Sequence, residues 1–164
     1  MRNLLFTAAL IAPALVKPAY AQGTLATDAF TPGWYVQGGV YVHYRDDEDY
    51  EGPPLFVGIE YVQSPKWRYG ASMFQNSFGQ FTQYAYVARL FRPLRDHPEF
   101  HFKLTGGIVQ GYRGEHHDTL PIRWGDSWGI GVIPTLGYRK DRLGFDIAFL
   151  KASAALFLVG YHFE

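Results

Sequence analysis

Large apolar residues alternate one for one with smaller or more polar residues along most of this chain, and that period of two limits its fold more than anything else. From Gly33 to Tyr44, Trp34, Val36, Val40, Val42 and Tyr44 form one row with Gly38 among them, and Tyr35, Gln37, Gly39, Tyr41 and His43 form the other. Leu55, Val57, Ile59 and Tyr61 alternate with Phe56, Gly58, Glu60 and Val62. Trp67, Tyr69, Ala71 and Met73 alternate with Arg68, Gly70, Ser72 and Phe74. Later, Trp128, Ile130, Val132, Leu136 and Tyr138 alternate with Gly129, Gly131, Ile133, Thr135 and Gly137. Successive side chains of a strand point to opposite faces, so each stretch reads as a strand with two unlike faces. A soluble β-sandwich needs its outer rows polar. Here the outer rows are the most apolar, which is the pattern of strands whose outer face meets lipid.

Eight strands follow, near 33–44, 55–63, 67–76, 81–91, 100–111, 127–138, 143–150 and 154–163. The fold class this predicts is all-β, an eight-stranded antiparallel transmembrane β-barrel. Aromatic residues make up 18% of the chain and Gly numbers 18, which suits aromatic girdles outside and little room inside. Eight strands enclose a space that side chains or one small ligand fill, so a wide pore is excluded. The connections 64–66 and 139–142 are short, whereas 45–54 and 112–126 are long and polar. Bacterial barrels keep short turns on the periplasmic side and long loops outside, so strands one, three, five and seven run outward. The final strand sets Phe157, Val159, Tyr161 and Phe163 on one face, like an outer-membrane assembly signal, with Glu164 following.

The first residues indicate how such a barrel is delivered. Arg2 precedes an apolar run, Leu4 to Val16, that is shorter than the roughly 20 residues of a spanning helix. Ala19-Tyr20-Ala21 is a small-x-small cleavage site. Residues 1–21 are therefore expected to be a signal peptide and residues 22–164 the barrel domain, located in the bacterial outer membrane. Cleavage would remove Arg2 and Lys17 and leave a slightly acidic chain, with nothing basic enough to bind nucleic acid. Cysteine is absent, which excludes disulfide and thiol chemistry.

Three features can carry chemistry. The outward strands one and three end at the same rim, bringing His43 together with Asn76 and Ser77. A hydroxyl, a base and a third polar group are the set needed for acyl transfer. Pro134 interrupts a well-formed strand, and Pro53-Pro54 begins another. Proline lacks the ladder N–H, so either position is a bulge or a lateral gap through which a lipid tail can pass. Gly39, Gly58, Gly70, Gly107, Gly129, Gly131 and Gly137 lie on inner rows, where they either leave space for an acyl chain or serve tight curvature. Glu115-His116-His117-Asp118 and the acidic run Asp46–Asp49 read as solvated loop segments, since adjacent His residues lack the spacing of a metal site.

Several strings resemble one family in order and spacing. They are His43-Tyr44-Arg45-Asp46 followed by a Pro-started strand, Met73-Phe74-Gln75-Asn76-Ser77-Phe78, Arg92-Pro93-Leu94 followed by Phe100–Gly107, and Ile133-Pro134-Thr135-Leu136-Gly137-Tyr138. Together they resemble the outer-membrane lipid A palmitoyltransferases, the PagP-like family. The resemblance implies transfer of a palmitoyl chain from a phospholipid to lipid A. It implies catalytic positions at His43, Asn76 and Ser77, with Asn76 where the family has Asp, and lipid gates near Pro54 and Pro134. The family's N-terminal amphipathic helix is not evident in residues 23–31.

The expected function is thus a lipid A acyltransferase that acts as a monomer without cofactor or metal, with a phospholipid donor and a lipid A acceptor. The alternatives are a non-enzymatic structural or adhesive barrel and a lipid hydrolase. A lumen plugged by Glu60, Arg68, Arg89 and Lys103 without an apolar cavity would favour the structural barrel.

Overall fold

The computed structural model describes residues 32–43, 55–76, 78–114, 120, 122–150 and 154–164. The signal peptide expected at 1–21, Pro54, Ser77 and the loop segments 45–50 and 115–118 lie outside the described residues. The strands are β1 (Gly33–His43), β2 (Leu55–Val62), β3 (Trp67–Gln75), β4 (Phe81–Phe91), β5 (Phe100–Gln110), β6 (Ile122–Trp124), β7 (Trp128–Lys140), β8 (Leu143–Leu150) and β9 (Ala154–Phe163). All pairings are antiparallel. The order β5-β4-β3-β2-β1-β9-β8-β7 closes on itself because β5 also pairs with β7, from Phe100↔Tyr138 to Gln110↔Trp128. Eight strands make the barrel, and closure pairs each of them with a neighbour on both sides.

The short strand β6 was not expected, because 112–126 reads as a loop. It forms a hairpin with the start of β7 through a turn in which Gly125 takes φ 58°, a conformation that favours glycine. Three residues are too few for alternation to reveal a strand.

The turns 63–66, 92–99 and 141–142, together with Gly33 and Phe163, lie at one end of the barrel, the turn rim. The other end, the loop rim, carries the ends of β1, β3, β5 and β8. The outer rows are the expected ones: Trp34, Val36, Val40, Leu55, Val57, Met73, Val132, Leu136 and Val159 are all exposed. The inner rows bury Tyr35, Gln37, Glu60, Arg68, Lys103, Thr135 and Asp146. An apolar exterior around a polar interior is stable only where the exterior meets hydrocarbon, so this is a membrane-type barrel.

The lumen has two layers. Near the turn rim it is polar, containing Tyr35, Glu60, Arg68, His101, Lys103 and Asp146. Towards the loop rim, Tyr41, Phe56, Ala148, Leu156 and Leu158 form an apolar cluster, with Phe74, Ile133 and Leu150 packed against it. Arg89 departs from the expected plug: it faces outward, its guanidinium carbon 5.2 Å from the centre of the Trp67 ring and 5.3 Å from that of Phe91. Leu90, one residue on, takes the inner position.

The inner glycines also differ from an open acyl channel. A Cβ on Gly70 would run into the Tyr86 ring, one on Gly137 into Asp146 and His101, and one on Gly131 would lie 2.8 Å from Val109. These glycines make room for large inward side chains, and the walls of the apolar layer are aromatic and aliphatic instead.

Candidate functional site

Pro134 stands where two ladders meet. On its β5 side the pairing runs unbroken, with Leu104 opposite Pro134. On its β8 side the ladder covers Thr135↔Ala148 to Lys140↔Leu143 and stops there. Continuing that register would set Phe149 opposite Pro134 and Leu150 opposite Ile133. Among the described residues, Phe149 and Leu150 pair only with Ala155 and Ala154 of β9. Above the break, β7 is paired again through Ile130↔Ile122 of β6. The stretch Gly131–Pro134 therefore has no ladder partner on that side among the described residues. Proline supplies no N–H at the point where the ladder ends. The interruption lies at the height of the apolar layer, since Ile133 and Leu150 both pack against that cluster.

At the loop rim, His43 is the last residue of β1 and pairs with Ala154 of β9. Asn76 follows β3 directly. Only β2 separates β1 from β3, which sets their ends about 10 Å apart across the wall. The structure thus brings the backbone of His43 and the side chain of Asn76 to one rim, while Ser77 and Pro54 lie outside the described residues.

Asn76 is buried, and its amide is divided between two tasks. Its Oδ1 accepts the backbone N–H of Phe78 and of Gln80, each at 3.0 Å. The Asn76 N–H donates to the Gln80 carbonyl at 2.9 Å, and the Gly79 N–H donates to the Asn76 carbonyl at 3.0 Å. Both acceptor sites of Oδ1 are used, so the amide cannot orient a histidine by accepting from it. Its Nδ2 is buried and has no hydrogen-bond partner among the described residues. The remaining capacity of Asn76 is therefore that of a donor. Behind this rim, burial pushes the Tyr112 phenol up to about 12, so it stays neutral.

The polar layer is held by ions. Lys103 Nζ donates to Glu60 Oε1 at 2.9 Å and to Asp146 Oδ2 at 3.1 Å. Arg68 donates to Glu60 Oε2 at 3.0 Å. Tyr86 Oη donates to Glu60 Oε1 at 3.0 Å, and Gln37 Nε2 donates to Tyr86 Oη at 3.1 Å. His101 Nε2 lies 3.1 Å from Asp146 Oδ1, off the hydrogen-bond direction. Six barrel strands, β1, β2, β3, β4, β5 and β8, meet in this cluster. Asp146 and His101 were missed in the sequence, although each is a polar residue on the inner row of an alternating strand.

A closed eight-stranded barrel, apolar outside and ion-paired within, belongs to the membrane-type β-barrels. No family model and no curated protein matches the chain. Among solved structures it is similar to a chain described as "De novo design of transmembrane beta-barrels", at 14% identity and a TM-score of 0.46, over 82% of this chain and 99% of that one.

Proposed function

We propose that this chain is an acyltransferase of the bacterial outer membrane that moves a palmitoyl-type chain from a phospholipid to lipid A, as the resemblance to the lipid A palmitoyltransferases implies. One observation carries the reading: among the described residues, the ladder on the β8 side of Gly131–Pro134 is interrupted at the height where the lumen is apolar. A phospholipid tail enters there from the membrane plane and parts Phe74, Ile133 and Leu150, the partly buried members of the layer. Its ester then lies at the loop rim. His43 takes the proton from the attacking hydroxyl, either that of lipid A directly or that of Ser77. The oxygen attacks the ester carbonyl, and the proton returns to the departing lysophospholipid oxygen. In the Ser77 route, a second transfer then delivers the acyl group to lipid A. The Nδ2 of Asn76 is suited to donate to the carbonyl oxygen as it gains charge.

The test is mass spectrometry of lipid A from an acyltransferase-deficient outer membrane that expresses this chain, beside His43→Ala and Ser77→Ala. One added acyl chain, absent in both variants while their barrels remain folded, is the expected result. Unchanged lipid A with a folded wild-type barrel refutes the reading, and free fatty acid in its place identifies a hydrolase. The second reading, a non-enzymatic structural barrel, is favoured by the lumen cluster of Glu60, Arg68 and Lys103, which joins strands across the interior as a stabilising plug does.

A further inference from the structure

The outward rows of the eight barrel strands carry a single charged side chain short of their terminal residues, Arg89. It lies on β4, two residues from the turn rim and about 7 Å along the strand, which is within the reach of its own side chain. Across the sheet it stands opposite Trp67 of β3 and Leu104 of β5. Its guanidinium is held between the Trp67 and Phe91 rings. Phe102 continues the aromatic surface, its ring centre 5.9 Å from that of Phe91. Lys66 is adjacent, its carbonyl accepting the Leu90 N–H at 2.9 Å.

Among the described residues, no carboxylate pairs with Arg89. A cation on the lipid face of a barrel is unfavourable unless it reaches the headgroups and finds an anion there. The anion available at that depth is the phosphodiester of a phospholipid, whose oxygens match the planar fork of arginine. We infer that Arg89, seated between Trp67 and Phe91 with Lys66 beside it, is a binding site for the phosphate of a phospholipid in the leaflet at the turn rim. The aromatic rings fix the guanidinium in place, and the outer surfaces of Leu104 and Phe102 take the upper part of the acyl chains. This site rests on the membrane-spanning barrel alone. It is independent of acyl transfer, which is placed at the opposite rim.

The test is native mass spectrometry of the full chain, folded in mild detergent and titrated with dioleoylphosphatidylglycerol, with dioleoylglycerol as a probe that has the same chains and no phosphate. Wild type is expected to retain one phosphatidylglycerol and no diacylglycerol, and Arg89→Gln to lose the retained lipid while keeping the heat-modifiable mobility of a folded barrel. Equal retention by folded Arg89→Gln overturns the inference. Equal retention of diacylglycerol by wild type also overturns it and needs no variant. Displacement of the lipid by millimolar inorganic phosphate assigns the pocket to a free anion and overturns the lipid assignment, whereas persistence of the bound lipid supports it.

Discussion

Lys103 on β5 meets Glu60 on β2 at 2.9 Å inside the barrel, and the same ammonium reaches Asp146 on β8 at 3.1 Å. One cation thus ties three parts of the wall together through the lumen. Its removal leaves two carboxylates buried, with Arg68 still on Glu60 and only His101 beside Asp146. Breaking a buried ion pair on one side costs about 3–5 kcal/mol. Lys103→Met is expected to lose stability on that scale in urea unfolding of the refolded barrel. Lys103→Met combined with Asp146→Asn should recover part of the loss, because neutralising the stranded carboxylate removes a charge without a partner. Additive losses in that double-mutant cycle would show that the pair is not coupled.

Pro134 ends the β7–β8 ladder. Pro134→Ala supplies the missing N–H and allows Phe149 and Leu150 to join β7. The gain is about 1 kcal/mol for a hydrogen bond formed. Amide exchange at Phe149, whose N–H faces β7, is expected to slow, while Leu150, whose N–H faces Ala154 of β9, stays unchanged as a control. If the interruption admits the donor lipid, acylation of lipid A should fall in the same variant even as the barrel becomes more stable. Unchanged acylation alongside slowed exchange would remove Pro134 from the lipid path.

Asn76 can be dissected by charge and shape. Asn76→Ala removes the acceptor for the Phe78 and Gln80 N–H groups and should cost about 1–3 kcal/mol, with faster exchange at both amides. Asn76→Asp keeps both acceptors, deletes the Nδ2 donor and adds a charge that the Phe78 and Gln80 N–H groups can stabilise. It should therefore hold the turn intact and change acyl transfer alone. Equal loss of turn protection in Asn76→Ala and Asn76→Asp would contradict the division of roles.

Gly70 faces the Tyr86 ring across the β3–β4 pair. Gly70→Ala is expected to destabilise by about 1–3 kcal/mol through overpacking. Tyr86→Leu in the same chain should relieve the overlap at the expense of the Tyr86 hydrogen bond to Glu60. Thermal unfolding monitored by heat-modifiable mobility measures both.

The strands and their facing were legible because a period of two needs only the chain's own order. Trp34, Val36 and Val40 face outward and Tyr35, Gln37 and Tyr41 inward whatever the rest of the barrel does, once one face must meet hydrocarbon. The break at Pro134 was legible for the same local reason: a residue without an N–H cannot complete a ladder. The seam, by contrast, is the pairing of β1 with β9, from Trp34↔Phe163 to His43↔Ala154, a contact between the two ends of the strand order whose register no local pattern encodes. The facing of Arg89 is a matter of register by a single residue, and its charge alone pointed the wrong way because arginine is tolerated on a lipid face near the headgroups. The roles of the inner glycines and of Asn76 were also tertiary. Gly70 leaves space that Tyr86 fills from the next strand, and the Asn76 amide is committed by the N–H groups of Phe78 and Gln80. The sequence by itself determined the strands and which face of each meets lipid, because alternation is a property of neighbours along the chain. Which inward groups meet, and therefore the division of the lumen into an ionic plug and an apolar layer, was decided only when the eight strands closed around them.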